Sequence, residues 1–589
     1  MPKKILVIEI FLFLFCACSN SDFVGTSNAS STDEQTTEIT PSDTLTKFPP
    51  SGFFSKPFTI VLPDTSSILC ETGGKASTPS SPSLKIFQLD TSTTIRCSEH
   101  LKESNLTTEI IRTYIFEKKP TIPAIFITTD PNSLFDPDSG IYVEGPNAKE
   151  ERPHYGANYW QDKEIPIFIE LIETSDTTPA FAKYAGLKIF GNYSRMQRKK
   201  SVSITFREKY GDNRLNYKLF PNFPKLTTFK SFVLRNNGNN FTNDYIRDRL
   251  ASSISEGLGV DYQRGRFVLV YYNSQYFGIH DMRERSNEYY FENHYGIEHN
   301  QINLLKADNS ASAGTPDVYI SLINWIKEHS LDNDENYAYI SSQIDINNLI
   351  NYLHIELFAN NRDWPGNNLK KWNRRDKKVP WKWFLYDLDE SFGTESNNDP
   401  SNVFEFIFSG KKNIWQNSPS YTFLFRSLLK NKEFKAAFIN RMQALLQMNL
   451  SSTKIQSQIE QMMEEIKAEV PRDQKHWSLN ASKMDEQLKI INKFATTRPE
   501  IITENLRDFF MLGESVSVTL STNGPGKILI HGLPITSRAI TIDFFKDFPV
   551  TISAEPQSGG VWLNWSDGEK NSARTIYPKK EIELRAFFK

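Results

Sequence analysis

Two short clusters of polar and acidic residues have the residue types that metal-dependent chemistry needs. The first contains Asp363 and Asn368, with four residues between them, and the second contains Asp387 and Asp389. Mg²⁺ prefers hard oxygen ligands, commonly one or two carboxylates together with the phosphates of a substrate. The two clusters therefore predict a site for metal-dependent phosphoryl transfer.

The step from Asp363 to Asn368 is also the spacing of the catalytic loop of protein kinases. There the Asp receives the proton of the substrate hydroxyl and the Asn holds a metal ion. Another interpretation stays open, because an Asp-x-Asp pair such as Asp387 and Asp389 also binds metal–sugar-nucleotide complexes in glycosyltransferases. The plainest interpretation is that these residues only cap turns, since Asp and Asn are common in loops.

Length and composition indicate a globular protein of several domains. The chain has 589 residues, a formal net charge of −2 and 13% aromatic residues. Such a length predicts more than one domain, and the aromatic content supplies packed cores. The near balance of charge argues against a nucleic-acid partner.

The N-terminus has the pattern of a bacterial lipoprotein signal. Lys3 and Lys4 precede an apolar run over residues 5–15, and Cys18 follows shortly after. We predict a signal peptide over residues 1–18, a lipid anchor on Cys18 and a Ser/Thr/Asp-rich disordered tether over residues 19–47. These features predict an outer-membrane lipoprotein of the cell envelope, facing the periplasm or the outside, although an ordinary signal peptide with a chance cysteine stays open.

Short strand-like runs separated by Gly, Pro and Ser clusters predict a β-sandwich over residues 48–118. In pattern it resembles the module at the C-terminus of bacterial chitobiases. Cys70 and Cys97 fall in this module, and either a disulfide or two buried thiols is consistent with their positions. A second small β module of the bacterial surface-protein type is predicted over residues 514–589, where its tryptophans are expected to be core residues.

The central region, residues 119–513, is predicted to begin with strands and to continue with helices, which is an α+β arrangement. An apolar-periodic helix over residues 347–360 leads directly into the Asp363 loop. Further helices are predicted from Tyr421 to about Arg507. This order argues against a glycosyltransferase, which would need a doubly wound sheet with alternating helices.

Several segments, in order along the chain, resemble the CotH family of atypical protein kinases, named for a spore-coat protein. They comprise residues 127–131, 134–137, 140–143, 191–195, 200–201, 208–211, 219–221, 234–238, 247–248, 276–279 and 283–285, together with the two acidic clusters. The resemblance implies a diverged protein-kinase-like central domain that uses ATP and Mg²⁺. The implied substrate is a Ser or Thr hydroxyl of an envelope or secreted protein, and a Ser/Thr-rich protein partner is expected.

The same resemblance assigns roles to the residues expected to bind the nucleotide. Lys200 matches the lysine that grips the phosphates, as a compact point charge. The turn that ends at Arg195 would bring backbone amides close to a phosphate. Glu256, or alternatively Glu284, would be the acidic partner that orients Lys200.

The acidic clusters receive the catalytic and metal-binding roles. Asp363 matches the proton acceptor, Asn368 the metal-binding asparagine (with Asn367 as a substitute), and Asp387 and Asp389 the metal-binding carboxylates. The chain departs from ordinary kinases because Asn361 stands where the catalytic-loop histidine would be and because no Asp-Phe-Gly follows. A catalytically inactive binding or scaffold module for adhesion or polysaccharide handling therefore stays open as an alternative, as does a metal-dependent glycosyltransferase.

Overall fold

The computed structural model describes residues 47–62, 68–83, 85–100, 107–394, 401–411 and 415–589. The predicted signal peptide, Cys18 and almost all of the predicted tether lie outside these ranges. The protein is a mixed α+β protein, as the sequence predicts. Within the described ranges, every helix is too short or too polar to cross a lipid bilayer.

The N-terminal module consists of two small sheets packed around an apolar core. Its sheets have the orders β1-β6-β5-β3 and β2-β4, with strands β1 (Gly52–Phe53), β2 (Phe58–Val61), β3 (Ile68–Thr72), β4 (Ile86–Leu89), β5 (Thr93–His100) and β6 (Thr107–Ile115). Cys70 and Cys97 stand opposite each other in the β3–β5 register and form a disulfide bond. The sequence left open a disulfide or two buried thiols, and the structure has the disulfide.

A closed seven-stranded barrel follows, with the strand order β10-β13-β16-β15-β7-β8-β9. This part comprises β7 (Ala124–Thr128), α1 (Pro131–Phe135), β8 (Ile165–Ile172), β9 (Phe181–Phe190), β10 (Ser201–Thr205), β11 (Leu215–Asn216), β12 (Thr228–Phe229), β13 (Ser231–Arg235), α2 (Arg247–Ser253), β14 (Asp261–Tyr262), β15 (Gly265–Tyr272) and β16 (Gln275–Glu284). β11 and β12 pair only with each other.

The barrel has an apolar interior and a polar outer face on β9, β10 and β13. Ile189, Val202 and Leu234 belong to the interior core. Because side chains alternate along a strand, neighbours of these residues such as Ser203 and Arg235 point away from the interior. They line the cleft described below.

A five-stranded sheet with the order β14-β20-β19-β17-β18 lies beside the barrel. Its strands and the adjoining helices are α3 (Glu288–Tyr295), β17 (Ile302–Leu305), β18 (Ala311–Ala313), α4 (Asp317–Glu328), α5 (Asp334–Gln343), α6 (Ile346–Ala359), β19 (Leu369–Arg374) and β20 (Lys382–Leu385). Asp345 caps α6 by accepting the backbone N–H of Asn348 at 2.9 Å, and Asn360, whose φ is +55°, is the C-cap residue that follows Ala359. The predicted helix before the Asp363 loop is thus present, with its ends one residue earlier than predicted.

The remaining helices form the predicted helical part. They are α7 (Val403–Phe408), α8 (Pro419–Leu428), α9 (Lys432–Leu446), α10 (Ser452–Ile466), α11 (Val470–Trp477) and α12 (Ala481–Phe510). The buried Asp473 of α11 joins this part to the barrel, because it forms an ion pair of 3.2 Å with Lys199 and accepts the backbone N–H of Ile279 at 2.8 Å.

The C-terminal module has two sheets, with the orders β24-β21-β28-β26 and β23-β22-β25-β27. Its strands are β21 (Ser515–Asn523), β22 (Gly526–Ile530), β23 (Leu533–Pro534), β24 (Ala539–Phe545), β25 (Val550–Pro556), β26 (Trp562–Trp565), β27 (Ala573–Ile576) and β28 (Ile582–Phe588). Trp565 is fully buried in its core. The module packs on α9, where Asn440 donates to the carbonyl of Pro549 at 2.8 Å, and it shares one continuous apolar core with the helices.

Candidate active site

A polar cleft of about 670 Å³ lies between the outer face of the barrel and the β19–β20 edge of the second sheet. The structure brings five of the predicted site residues together in it: Asp363, Asn368, Asp387, Asp389 and Arg195. The cleft is also rich in cationic side chains, which are Lys188, Arg195, Arg235, Arg285, Lys306 and Lys370. A cavity that combines carboxylates with many cations is suited to a phosphorylated ligand and a divalent metal ion.

Asp363 is held by amides of its own loop. Its Oδ2 accepts a hydrogen bond from Nδ2 of Asn367 and another from Nδ2 of Asn368, each at 2.9 Å. Burial raises the pKa of Asp363 to about 6. The hydrogen bond from Asn367 opposes this increase in pKa, whereas the negative charge of Asp387 adds to the increase. A carboxylate with this pKa is ionised at neutral pH and is basic enough to receive a proton.

Asn361 joins this loop to α6. Its Oδ1 accepts the backbone N–H of Asp363 at 3.2 Å, and its Nδ2 donates to Oε2 of Glu356 at 2.9 Å. Glu356 is fully buried on α6, and burial raises its pKa to about 8. Asn361 thereby fixes the backbone that carries Asp363.

Asn368 links the two acidic clusters. Its Nδ2 donates to Asp363 and also to the backbone carbonyl of Asp387, at 3.0 Å. The amide nitrogen is therefore occupied, and within the described part of the chain no donor reaches the Oδ1 atom of Asn368. Asn368 and Asp387 both have left-handed backbone conformations, with φ of +47° and +59°. Asn and Asp tolerate this region better than most residues, and such conformations cluster at functional sites.

The second cluster packs tightly against the end of the barrel. Asp389 is 3% exposed, and its Oδ2 accepts the backbone N–H of Asn239 at 3.2 Å. A Cβ atom at Gly238, whose φ is +63°, would collide with the Asp389 carboxylate. Only glycine therefore permits this approach of the β13 turn to the acidic loop.

Arg235, at the end of β13, is the central cation of the site. It forms ion pairs with Asp387, with Asp389 at 3.4 Å and with Asp248 of α2 at 2.9 Å. Burial alone would lower the pKa of Arg235, but Asp387, Asp248 and Asp389 raise it well above its usual value. The guanidinium is thus a fixed positive charge beside the metal-binding candidates.

Asp248 orients Arg235 and anchors the second acidic cluster at the same time. Its Oδ1 accepts the backbone N–H of Leu388 at 2.9 Å, and its Oδ2 also pairs with Arg283 at 2.7 Å. Burial would raise the pKa of Asp248, but Arg283 and Arg235 hold it below its usual value. An acidic residue of a helix therefore orients a strand cation beside a metal-site candidate, which is the arrangement of the Lys–Glu pair in protein kinases.

Lys200 does not share this site, contrary to the sequence expectation. It is 3% exposed, and its Nζ donates to the carbonyls of Arg195 at 2.6 Å and Gln197 at 3.0 Å. Two residues further on, Val202 points into the barrel, so strand alternation directs Lys200 to the interior side and away from the cleft. Burial lowers its pKa to about 8.

The remaining predicted nucleotide-binding residues are dispersed. Arg195 lines the cleft, but its Nε donates to the carbonyl of Gly191 at 2.7 Å. Glu256 accepts a hydrogen bond from Tyr262 and lines a different cavity. Glu284 pairs with His294 at 2.7 Å. Neither glutamate contacts Lys200, so the expected lysine–glutamate pair is absent from the described structure.

The donor set suits magnesium better than zinc. In the described residues, no group of three or more His, Cys, Asp or Glu side chains is placed to hold a metal ion. Mg²⁺ needs fewer protein ligands, since substrate phosphates and water complete its shell. Asn368 and Asp387 both line the cleft, and their amide and carboxylate oxygens are of the types that this mode of binding uses.

The chain matches the model of the CotH kinase protein family over residues 187–502. This match spans more than half of the sequence and includes every residue named above as lining the cleft, and the chain therefore belongs to the CotH kinase protein family. No curated protein gives a significant match. None of the described sheets is a doubly wound parallel sheet, which the glycosyltransferase interpretation would need.

Sequence reasoning did not assign a role to Arg235 or Asp248, although both lie in segments that carry the family resemblance. The signal was an arginine that ends an apolar strand, followed by an Asp at the start of a short helix. Lys200 has the residue type expected of the phosphate-binding cation, whereas Arg235 is the cation that pairs with Asp387 and Asp389.

Proposed function

We propose that the protein is a phosphotransferase that moves a phosphoryl group from Mg²⁺-bound ATP to a Ser or Thr hydroxyl of an envelope or secreted protein. The observation that carries this proposal is that one cleft contains Asp363, Asn368, Asp387 and Arg235. A carboxylate base, two metal-ligand candidates and an oriented cation are the parts that phosphoryl transfer requires.

Each of these residues has a separate task. Asp387 and Asn368 would hold Mg²⁺, with Asp389 close behind, and the ion would neutralise charge on the phosphates when bound. Arg235 would bind a phosphate oxygen through its planar fork of donors, which matches phosphate better than an ammonium does. Asp248 would keep that fork in position.

Asp363 would align the acceptor hydroxyl in line with the γ-phosphorus. The hydroxyl oxygen forms the new P–O bond, the bond between the γ-phosphorus and the bridging oxygen breaks, and ADP leaves with that oxygen. The hydroxyl proton passes to the Asp363 carboxylate and then to solvent. The protein contributes mainly position and charge, as in other phosphoryl transfers.

The proton-accepting role predicts a pH dependence. With the pKa of Asp363 raised to about 6, kcat/KM is expected to rise about tenfold per pH unit below this value and to level off above it. The inflection in kcat is expected at lower pH, because Mg²⁺ near the carboxylate favours its ionised form. Initial rates measured between pH 5 and 8 check this; a flat profile would contradict the base role.

The direct test of the proposed function is transfer from γ-labelled ATP, with and without Mg²⁺, to Ser/Thr-rich envelope proteins. Label on Ser or Thr that depends on Mg²⁺ would support the proposal. An absence of transfer to any protein, including the enzyme itself, would contradict it. The predicted lipid anchor on Cys18 would place this activity at the cell envelope.

A further inference from the structure

A cluster of three cations occupies the part of the cleft that the phosphoryl-transfer residues do not use. We call Lys188, Arg285 and Lys370 the inner cation cluster; all three line the cleft. Lys188 lies on β9, Arg285 directly follows β16, and Lys370 is the second residue of β19. The proposed roles of Asp363, Asn368, Asp387 and Arg235 leave these cations unexplained.

Arg285 is the member of the cluster that lacks a partner. It is partly buried, and within the described residues its guanidinium makes no hydrogen bond or ion pair. Burial lowers its pKa, and the charge of Glu288 opposes this shift only from a distance beyond an ion pair. A partly buried guanidinium at a cleft wall, with its donors unused by the described residues, is suited to an anionic ligand.

The other two cations are held in place but keep capacity for an anion. Lys370 donates to the carbonyl and hydroxyl of Ser286, at 2.9 and 2.6 Å, and its Nζ lies 3.7 Å from the centre of the Tyr386 ring. Lys188 pairs with Asp162, which is itself mostly exposed. An ammonium has three donors, so each lysine can also reach a ligand oxygen.

The three charges repel one another. Burial first, and the charge of Arg285 second, lower the pKa of Lys188. An anion bound among them would relieve this repulsion, because an opposite charge favours the protonated forms.

The cluster lies where the far end of a phosphoryl donor would extend. Arg235 pairs in register with Asp281, and Arg285 is four residues further along, which separates the two arginines by roughly 14 Å. A chain of phosphates that begins at Arg235 and follows the direction of β16 would reach this cluster. Base and cofactor pockets are mostly apolar, whereas this wall carries three cations.

A second hollow continues beyond the cluster. It has a volume of about 420 Å³, shares Lys188, Ser203 and Arg285 with the cleft, and adds Arg207 and Lys209. The latter two cations are paired with Glu164, at 3.0 and 3.2 Å. Asp162 and Glu164 also line this hollow, so four cations and two carboxylates face it.

We propose that the inner cation cluster binds further phosphates of a linear inorganic polyphosphate, so that this chain of phosphates is a donor for the reaction. The inference rests on the proposed function, since it uses the same transfer residues. The acceptor hydroxyl oxygen bonds to the terminal phosphorus, the bond from that phosphorus to the bridging oxygen breaks, and the polyphosphate leaves one unit shorter. The hydroxyl proton goes to Asp363.

Calorimetry on the full-length protein with Mg²⁺ tests this proposal. The ligands are pyrophosphate, tripolyphosphate, a longer polyphosphate and ATP. Affinity is expected to rise with chain length, with the longer chain at least about tenfold tighter than pyrophosphate, since each added contact is charge-assisted. Arg285→Gln is expected to remove this gain while changing pyrophosphate affinity less than about threefold.

Lys183→Gln is the control variant, because it removes one positive charge from the barrel at a residue of β9 that pairs with Asp212 and does not line the cleft. It is expected to leave the chain-length profile unchanged. Equal affinity for all chain lengths, tighter binding of ATP than of the longer polyphosphate, or equal effects of the two variants would overturn the inference. If one of these results is found and ATP still binds in a Mg²⁺-dependent way, the proposed function is unaffected. If no ligand shows Mg²⁺-dependent binding, both the inference and the proposed function are contradicted.

Discussion

Replacing Asp363 by asparagine is expected to lower kcat for phosphoryl transfer by about 10²- to 10⁴-fold, the usual contribution of a general base. The amide has nearly the shape of the carboxylate and can still accept the hydrogen bonds of Asn367 and Asn368. It cannot receive the hydroxyl proton. Initial rates of transfer, with the thermal unfolding temperature as a check on the fold, measure the effect.

Binding separates loss of the base from loss of the site. The Asp363→Asn variant is expected to bind Mg²⁺–ATP within about threefold of the wild type, because Asp363 is not a proposed ligand of the metal or of the phosphates. If this variant turned over as fast as the wild type, Asp363 would have no role in the mechanism. Loss of both binding and fold would show a structural role instead.

Replacing Arg235 by methionine is expected to abolish detectable Mg²⁺–ATP binding and to destabilise the protein by about 3–5 kcal/mol. That is the usual cost of removing one partner of a buried ion pair. Asp248, Asp387 and Asp389 would be left without their shared cation, and their mutual repulsion would disturb the metal site. Chemical denaturation and calorimetry measure the two effects.

Two further variants separate the roles of Arg235. Arg235→Lys keeps the charge but loses the planar fork, so it is expected to retain most of the stability and to lose affinity for the phosphates. Lys200→Gln removes the cation that the sequence predicted to bind the phosphates. Because Lys200 lies outside the cleft, Lys200→Gln is expected to keep nucleotide affinity within about threefold. Loss of affinity in Lys200→Gln but not in Arg235→Lys would reverse the assignment.

The sequence predicted those parts of the protein that depend on local pattern. The helix before Asp363 and the short strands of both β modules follow from the local apolar pattern, which is the strongest local signal of secondary structure. Asp363, Asn368, Asp387 and Asp389 lie together because two short segments flank one β-hairpin, β19–β20.

The sequence did not predict which face of a strand each residue lies on, nor the contacts between elements that are distant along the chain. Lys200 and Arg235 each stand at an end of a barrel strand, but only Arg235 is on the outer face. A shift of one residue in register decides between the two faces, and residue type alone does not reveal it. The pairing of Arg235 with Asp248 joins β13 to α2, and the packing of the C-terminal module on α9 is likewise a tertiary contact.

The most direct test of the central claim is calorimetric titration of the protein with ATP, with and without Mg²⁺, beside its Asp387→Ala variant. The variant removes a proposed metal ligand whose carboxylate lines the cleft. We predict ATP binding that requires Mg²⁺ and is lost in Asp387→Ala. No binding by the wild type, or equal binding by both proteins, would contradict a metal-dependent phosphoryl-transfer site in this cleft.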